Sequence, residues 1–159
     1  MSVQHVRKFL QKHSPYLDIT VLQKSTATVA EAAEAFGVKR GQIAKTLSFR
    51  VHDGVVLLVM AGDRRLDNSK FKRLFGIKAR MLPPEEVEAM TGFAPGGVCP
   101  FSMLPGVTVY CDESLRTYEE VLPAGGDAYS GVRISPEHLA QITSAIWADL
   151  SCQPYQSGT

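Results

Sequence analysis

The run Val55-Val56-Leu57-Leu58-Val59-Met60-Ala61 is apolar at every position, and it narrows the possible folds more than any other stretch of the chain. A strand with one wet face alternates polar and apolar residues, so an unbroken run predicts a central strand covered on both faces. The run is far too short to cross a bilayer as a helix. It follows His52-Asp53-Gly54, where Asp-Gly signals a hairpin, and residues Ile43 to Val51 read as the partner strand. A hairpin buried on both faces needs further elements on each side.

The rest of the chain supplies them. Val3, Val6, Phe9 and Leu10 recur at helical spacing, predicting an amphipathic helix that ends near Ser14-Pro15. Ile19 and Val21 alternate as a strand. Thr28-x-x-Glu31 predicts a capping box for a helix from Val29 to Phe36, which Gly37 stops. Asp67 or Asn68 caps a short helix with Phe71, Leu74 and Phe75 turned inward and Gly76 at its end. Pro84 opens another helix, with Glu85 and Glu86 in the first turn, Val87 and Met90 inside, and an end at Thr91-Gly92. Val107, Val109 and Cys111 predict a half-buried strand. Glu119 to Leu122 and Val132 to Ile134 are weaker strand candidates around the Gly125-Gly126 turn. Ser135-Pro136-Glu137 opens a last helix carrying Leu139 and Ile142, and its extension through Trp147 to Leu150 is left open. Residues 153–159 read as a frayed tail. The expectation is an α/β (α+β) fold: one domain over residues 1–159, with a mixed sheet and flanking helices.

Composition excludes several classes of function. The formal net charge is +1, so a nucleic-acid partner must be met by a local patch. Cys99, Cys111 and Cys152 are an odd, widely spaced set, and the four histidines are scattered; no metal and no cofactor are expected. The start Met1-Ser2-Val3-Gln4-His5 lacks a signal-peptide apolar segment, making the cytoplasm the expected compartment and a membrane an unexpected partner. The nucleophile elbow G-x-S-x-G is absent.

Three features carry chemistry. Lys45 shares strand parity with Leu47, Phe49 and Val51, so its ammonium leaves from the face meant for the core. It either snorkels to the rim or reaches into a polar pocket. In an antiparallel hairpin it neighbours Ala61-Gly62-Asp63, where Asp63 either orients the ammonium or shapes the turn. The second feature is Ala94-Pro95-Gly96-Gly97-Val98-Cys99-Pro100-Phe101, a stiff loop whose paired glycines can present bare backbone N–H groups to a negatively charged oxygen, or simply make a tight connection. Cys99 reads as a small residue lining a cavity; a nucleophile would need an activating histidine, and none lies nearby in sequence. The third is the segment after Asp63: Arg64, Arg65, Lys70, Lys72, Arg73, Lys78 and Arg80 stand against only Asp63 and Asp67. This is either a solvated helix face or the footprint of a phosphate backbone.

In their order and spacing these pieces resemble the YbaK/prolyl-tRNA synthetase-associated editing domain family, over roughly Ser25 to Leu150. The resemblance is carried by Thr28-Val29-Ala30-Glu31-Ala32-Ala33, Gln42-Ile43-Ala44-Lys45-Thr46-Leu47, Ala61-Gly62-Asp63-Arg64-Arg65-Leu66-Asp67 and Gly96-Gly97-Val98-Cys99-Pro100-Phe101, with Asp112-Glu113-Ser114-Leu115 after the next strand. It implies a freestanding deacylase that hydrolyses the ester joining a wrong amino acid to the terminal adenosine of a tRNA. Its partners would be the tRNA acceptor end and prolyl-tRNA synthetase. It also implies roles: Lys45, Gly96, Gly97 and Pro100 in catalysis, and Thr26, Gly62, Asp63, Val98, Cys99, Phe101 and Arg133 around the substrate. Arg64, Arg65, Lys70, Lys72 and Arg73 would hold the tRNA. In related enzymes a ribose hydroxyl or the substrate's own side chain assists the attacking water. Arg133 or its neighbours fall where cysteinyl-specific members carry an acidic residue, a departure that speaks against cysteinyl specificity. The alternative is a module that binds tRNA or a nucleotide in the same pocket without turnover.

Overall fold

The computed structural model describes residues 2–154. In chain order the elements are α1 (Val3–His13), β1 (Ile19–Val21), α2 (Val29–Phe36), β2 (Ile43–Val51), β3 (Gly54–Ala61), β4 (Arg65–Leu66), α3 (Asn68–Phe75), α4 (Pro84–Thr91), β5 (Val107–Asp112), β6 (Leu122–Pro123), β7 (Ser130–Val132), α5 (Pro136–Thr143), β8 (Ile146–Ala148) and β9 (Ser151–Cys152). The main sheet has the order β6-β2-β3-β5-β8. Only the β2–β3 hairpin is antiparallel; the other three pairings are parallel, which makes the sheet mixed. β1 pairs with β7, and β4 with β9, as two small antiparallel ribbons.

The apolar run is the central strand. Leu57, Leu58, Val59 and Met60 are fully buried. Val55, Leu57 and Val59 pack into the larger core with Val6, Leu10, Phe93, Phe101 and Cys111. Leu58 and Met60 face the other side, against Phe49, Phe71 and Leu150. Each such side chain contributes about 1.5–3 kcal/mol of burial free energy, so the hairpin anchors both layers.

Local signals set most helix ends. The Thr28 hydroxyl accepts from Glu31 N–H at 3.1 Å, and Gly37 closes α2 at φ +68°. The Glu31 carboxylate meets the Thr28 hydroxyl at 3.0 Å rather than the backbone N–H that a full capping box would use. Asp67 and Ser135 cap α3 and α5, and Gly76 and Gly92 close α3 and α4 in the left-handed conformation.

Three expectations need correction, and one open helix boundary is fixed. Leu74 is half exposed, because Phe71 and Phe75 take the inner face of α3 and Leu74 lies roughly 80° around the helix from their midline. The last helix stops at Thr143, where Ser144 turns left-handed at φ +54°, and Ile146–Ala148 instead forms a strand parallel to β5. The strand expected at 132–134 lies at 130–132, since its partner is β1 through Ile19↔Val132 and Val21↔Ser130. The strand expected at 119–122 is cut to Leu122–Pro123, which pairs only with Ile43 and Ala44. Of the expected tail, Gln153 and Pro154 are exposed, and residues 155–159 lie outside the described residues.

Candidate active site

The outer edge of β2 is covered at both ends and bare in the middle. β6 pairs with Ile43 and Ala44. Further along, Leu82 N–H donates to Ser48 C=O and Arg50 N–H to Arg80 C=O, both at 3.0 Å. Residues of β2 alternate between facing β3 and facing this edge, and Ile43 C=O accepts from Gly62 N–H on the β3 side. The even positions therefore face outward, and Thr46 turns its N–H and C=O to the bare edge. A cavity of about 280 Å³ opens there. Its walls come from the start of α2 (Thr28, Val29, Ala32), from Phe36, from Gly96 and Val98, and from Leu122 to Ala124 with Ser130. Three residues of these walls, Thr26, Thr46 and Ser130, carry hydroxyl oxygens that are shut off from solvent and have no hydrogen-bond partner.

Lys45 lies on the same wall. Its half-buried ammonium donates to the carbonyls of Gly62, at 3.4 Å, and of Arg64. Burial pushes its pKa down from the ordinary lysine range, and the charge of Asp63 offsets part of that shift. An ammonium has three N–H donors, so two carbonyls leave one for a ligand. Gly62 and Asp63 do not line the cavity. Gly62 supplies a carbonyl to Lys45, and Asp63 acts on it through charge, beside Gly41.

The glycine loop divides its labour. Gly96 takes φ +90° and lines the cavity with Val98. Gly97 faces the other way: its N–H donates to Ala94 C=O at 3.0 Å, and a side chain there would start 2.6 Å from the Asp127 backbone. Its amide is therefore engaged in a turn, leaving those of Gly96 and Val98 as the loop's candidate donors. Pro100, Cys99 and Phe101 are buried behind the loop and do not line the cavity. Burial pushes the Cys99 thiol up to about 12, only partly countered by a hydrogen bond from the Phe101 backbone. This thiol is a core atom, and it is neither an exposed nucleophile nor a cavity wall.

The sequence profile of the aminoacyl-tRNA editing domain matches residues 23–142. The chain belongs to that family. Among relatives of this editing domain, the uncharacterized protein YwhH of Bacillus subtilis is 42% identical, covering 98% of this chain and 100% of YwhH. EbsC of Enterococcus faecalis, named a candidate Cys-tRNA(Pro)/Cys-tRNA(Cys) deacylase, is 27% identical over 91% of this chain and 90% of its own. A crystal structure of a candidate trans-editing enzyme for prolyl tRNA synthetase superposes with a TM-score of 0.87 at 39% identity, covering 94% of this chain and 96% of that one.

Other expected site residues of this editing domain stand apart from the cavity. Arg133 is exposed, pairs with Glu120 at 3.4 Å and donates to Phe36 C=O at 3.4 Å, so it backs the Phe36 wall from outside. Arg64 and Lys70 are tied into the β4–β9 ribbon: Arg64 donates to the Ser151 hydroxyl at 3.1 Å, and Lys70 meets Asp149 at 2.9 Å and Ser151 C=O at 2.8 Å. Arg65 is exposed, with one contact to Cys152 Sγ at 3.4 Å, while Lys72 and Arg73 are exposed on α3. A second cavity of about 440 Å³ lies across the Gly62–Arg64 turn, lined by Asp63, Arg64, Ser114 and Tyr118 among others. None of the unpartnered hydroxyls found among the described residues lies on it. No group of three or more His, Cys, Asp or Glu side chains gathers as a metal site among the described residues, and no helix there is long and apolar enough to cross a membrane. Sequence reasoning singled out Thr26 but passed over Thr46 and Ser130. The only available signal was Thr46's polar parity beside Lys45.

Proposed function

We propose that this protein is an aminoacyl-tRNA deacylase that hydrolyses mischarged tRNA in trans, alongside prolyl-tRNA synthetase. One observation carries the reading: Lys45, Gly96, Val98 and the bare backbone edge at Thr46 all fall on a single cavity beside β2. The family and the names of the similar proteins support it. The remaining N–H of Lys45 holds a phosphate or ribose oxygen of the terminal nucleotide and so fixes the ester. The amides of Gly96 and Val98 face the carbonyl oxygen as negative charge develops on it. Water adds to the carbonyl carbon, the bond to the ribose oxygen breaks, and that oxygen leaves with a proton as the free amino acid departs. Among the described residues no carboxylate or imidazole lines the cavity, so in this reading the neighbouring ribose hydroxyl assists the water. The exposed cations of β4 and α3 meet the acceptor-stem phosphates.

The same lack of a carboxylate or imidazole favours a second reading, a module that binds charged tRNA without turnover. A panel of tRNAs charged with alanine, serine, threonine and cysteine separates the two. The deacylase reading predicts faster ester loss on at least one member, slowed on the order of 100-fold by Lys45→Ala. Salt-sensitive binding with no ester loss on any member favours the binding module.

A further inference from the structure

Lys45 is held by a turn outside its own strand. Its ammonium donates to the carbonyls of Gly62 and Arg64, and both belong to the turn that follows β3. One bond closes that turn internally, from Arg64 N–H to Ala61 C=O at 3.0 Å. On one flank the turn is wedged, since a side chain at Gly62 would strike Arg40 C=O and Val29. Behind it lies the second cavity, of about 440 Å³, which Asp63, Arg64, Ser114 and Ser151 help to line. Close packing therefore does not hold the turn from that side, and hydrogen bonds must.

Those bonds converge on Asp112, at the end of β5 and fully buried. One carboxylate oxygen accepts from Leu150 N–H at 2.7 Å. The other accepts from Ser114 N–H at 3.0 Å and from the Ser151 hydroxyl at 2.7 Å. The Ser151 hydroxyl in turn accepts from Arg64 Nε–H at 3.1 Å, at the far end of the turn. The Ser114 hydroxyl accepts from Ala61 N–H at 3.1 Å, at the near end. Asp112 thus reaches both ends of the turn through one serine each. A hydroxyl that donates to a carboxylate is a stronger acceptor, so the chain from Asp112 through Ser151 to Arg64 reinforces itself. A buried carboxylate is costly unless such bonds satisfy it, which ties this brace to one geometry. None of the three residues lines the cavity beside β2. Taking the deacylase reading as the base, we propose that Asp112, Ser114 and Ser151 are positioning residues: they brace the 61–64 turn and, through its two carbonyls, aim the Lys45 ammonium at the terminal nucleotide.

A double-mutant cycle separates aiming from general support. Single-turnover ester loss is followed on the full chain, with the misacylated tRNA that wild type deacylates fastest. Ser151→Ala and Ser114→Ala remove only a hydroxyl, and each should slow the reaction about three- to tenfold. In a Lys45→Ala background neither should slow the residual reaction further, because the group they aim is gone. Losses of equal size in both backgrounds overturn the inference, as do two single variants as fast as wild type. The second readout needs no activity: the NMR resonance of the Lys45 side chain is followed against pH. An ammonium that loses a fixed carbonyl while it stays half-buried, with only Asp63 as its nearby opposite charge, releases its proton at lower pH. The Lys45 midpoint should therefore move down in Ser151→Ala, and an unmoved midpoint overturns the inference. A wild type that leaves every ester intact overturns the deacylase reading, and the Lys45 titration then decides the brace by itself.

Discussion

Lys45 leaves β2 on the side that Leu47 and Phe49 use for the second core, and its ammonium is held by two backbone carbonyls instead of by bulk water. Burial favours the neutral amine, so the proton is lost at lower pH than from an exposed lysine. In that window the unfolded chain binds more protons than the folded one, so stability rises as pH rises through it. Under the proposed role of Lys45, in which the charged form holds the substrate, activity should follow the opposite trend. The enzyme-dependent rate should fall on the alkaline side with a midpoint below the ordinary lysine range. Asp63→Asn should lower that midpoint further, since the Asp63 charge works against the shift. A midpoint unmoved in Asp63→Asn would show that Lys45 is not the titrating group. Cys99 gives a contrasting prediction. Its thiol is buried in the larger core, so Cys99→Ala should lower stability by about 1–2 kcal/mol in denaturant unfolding and leave the deacylation rate of the folded protein within about twofold. The parity of Lys45 was legible from the sequence because alternation along a strand is local. The burial of Cys99 was not, because it depends on how the 94–101 loop folds back over the larger core. The Gly97 amide was missed for a similar reason: its turn bond to Ala94 and its contact with Asp127 exist only once the loop is closed.

The basic segment separates into two groups by element. Lys70 and Arg64 are bound into the β4–β9 ribbon, whereas Lys72 and Arg73 stand exposed in the last turn of α3. Converting Lys72 and Arg73 together to alanine should weaken tRNA binding and lower the slope of log K against log salt by about 2. A filter-binding titration at several salt concentrations reads both. An unchanged slope would move the tRNA footprint off α3. Elements bounded by their own residues were readable in advance: α2 between Thr28 and Gly37, α4 between Pro84 and Gly92, and β3 from its unbroken apolar run. Elements defined by a distant partner were not. β7 takes its register from β1, β8 exists because it lies parallel to β5, and β9 because it pairs with β4. The cavity belongs to this second kind. Thr26, Thr46 and Ser130 are more than eighty residues apart at the extremes and meet only through tertiary pairing.

Across the whole molecule, the buried hairpin acts as a rigid frame with one incomplete edge. β6 stops after two pairs and the 80–82 segment begins only at Ser48, so the sheet leaves a gap beside Lys45. α2, the Gly96 loop and the 124–130 segment close around that gap and turn it into a cavity. Mounting these residues on a central sheet keeps the lysine and the loop amides in fixed relation, as the proposed ester hydrolysis without a protein nucleophile requires. The most direct test is a single-turnover experiment with excess protein over misacylated tRNA, following ester loss for wild type and Lys45→Ala beside bound tRNA. Rapid ester loss by wild type is expected, with the loss slowed on the order of 100-fold in the variant. Bound tRNA whose ester survives as long as in buffer, or a Lys45→Ala protein as fast as wild type, would contradict it.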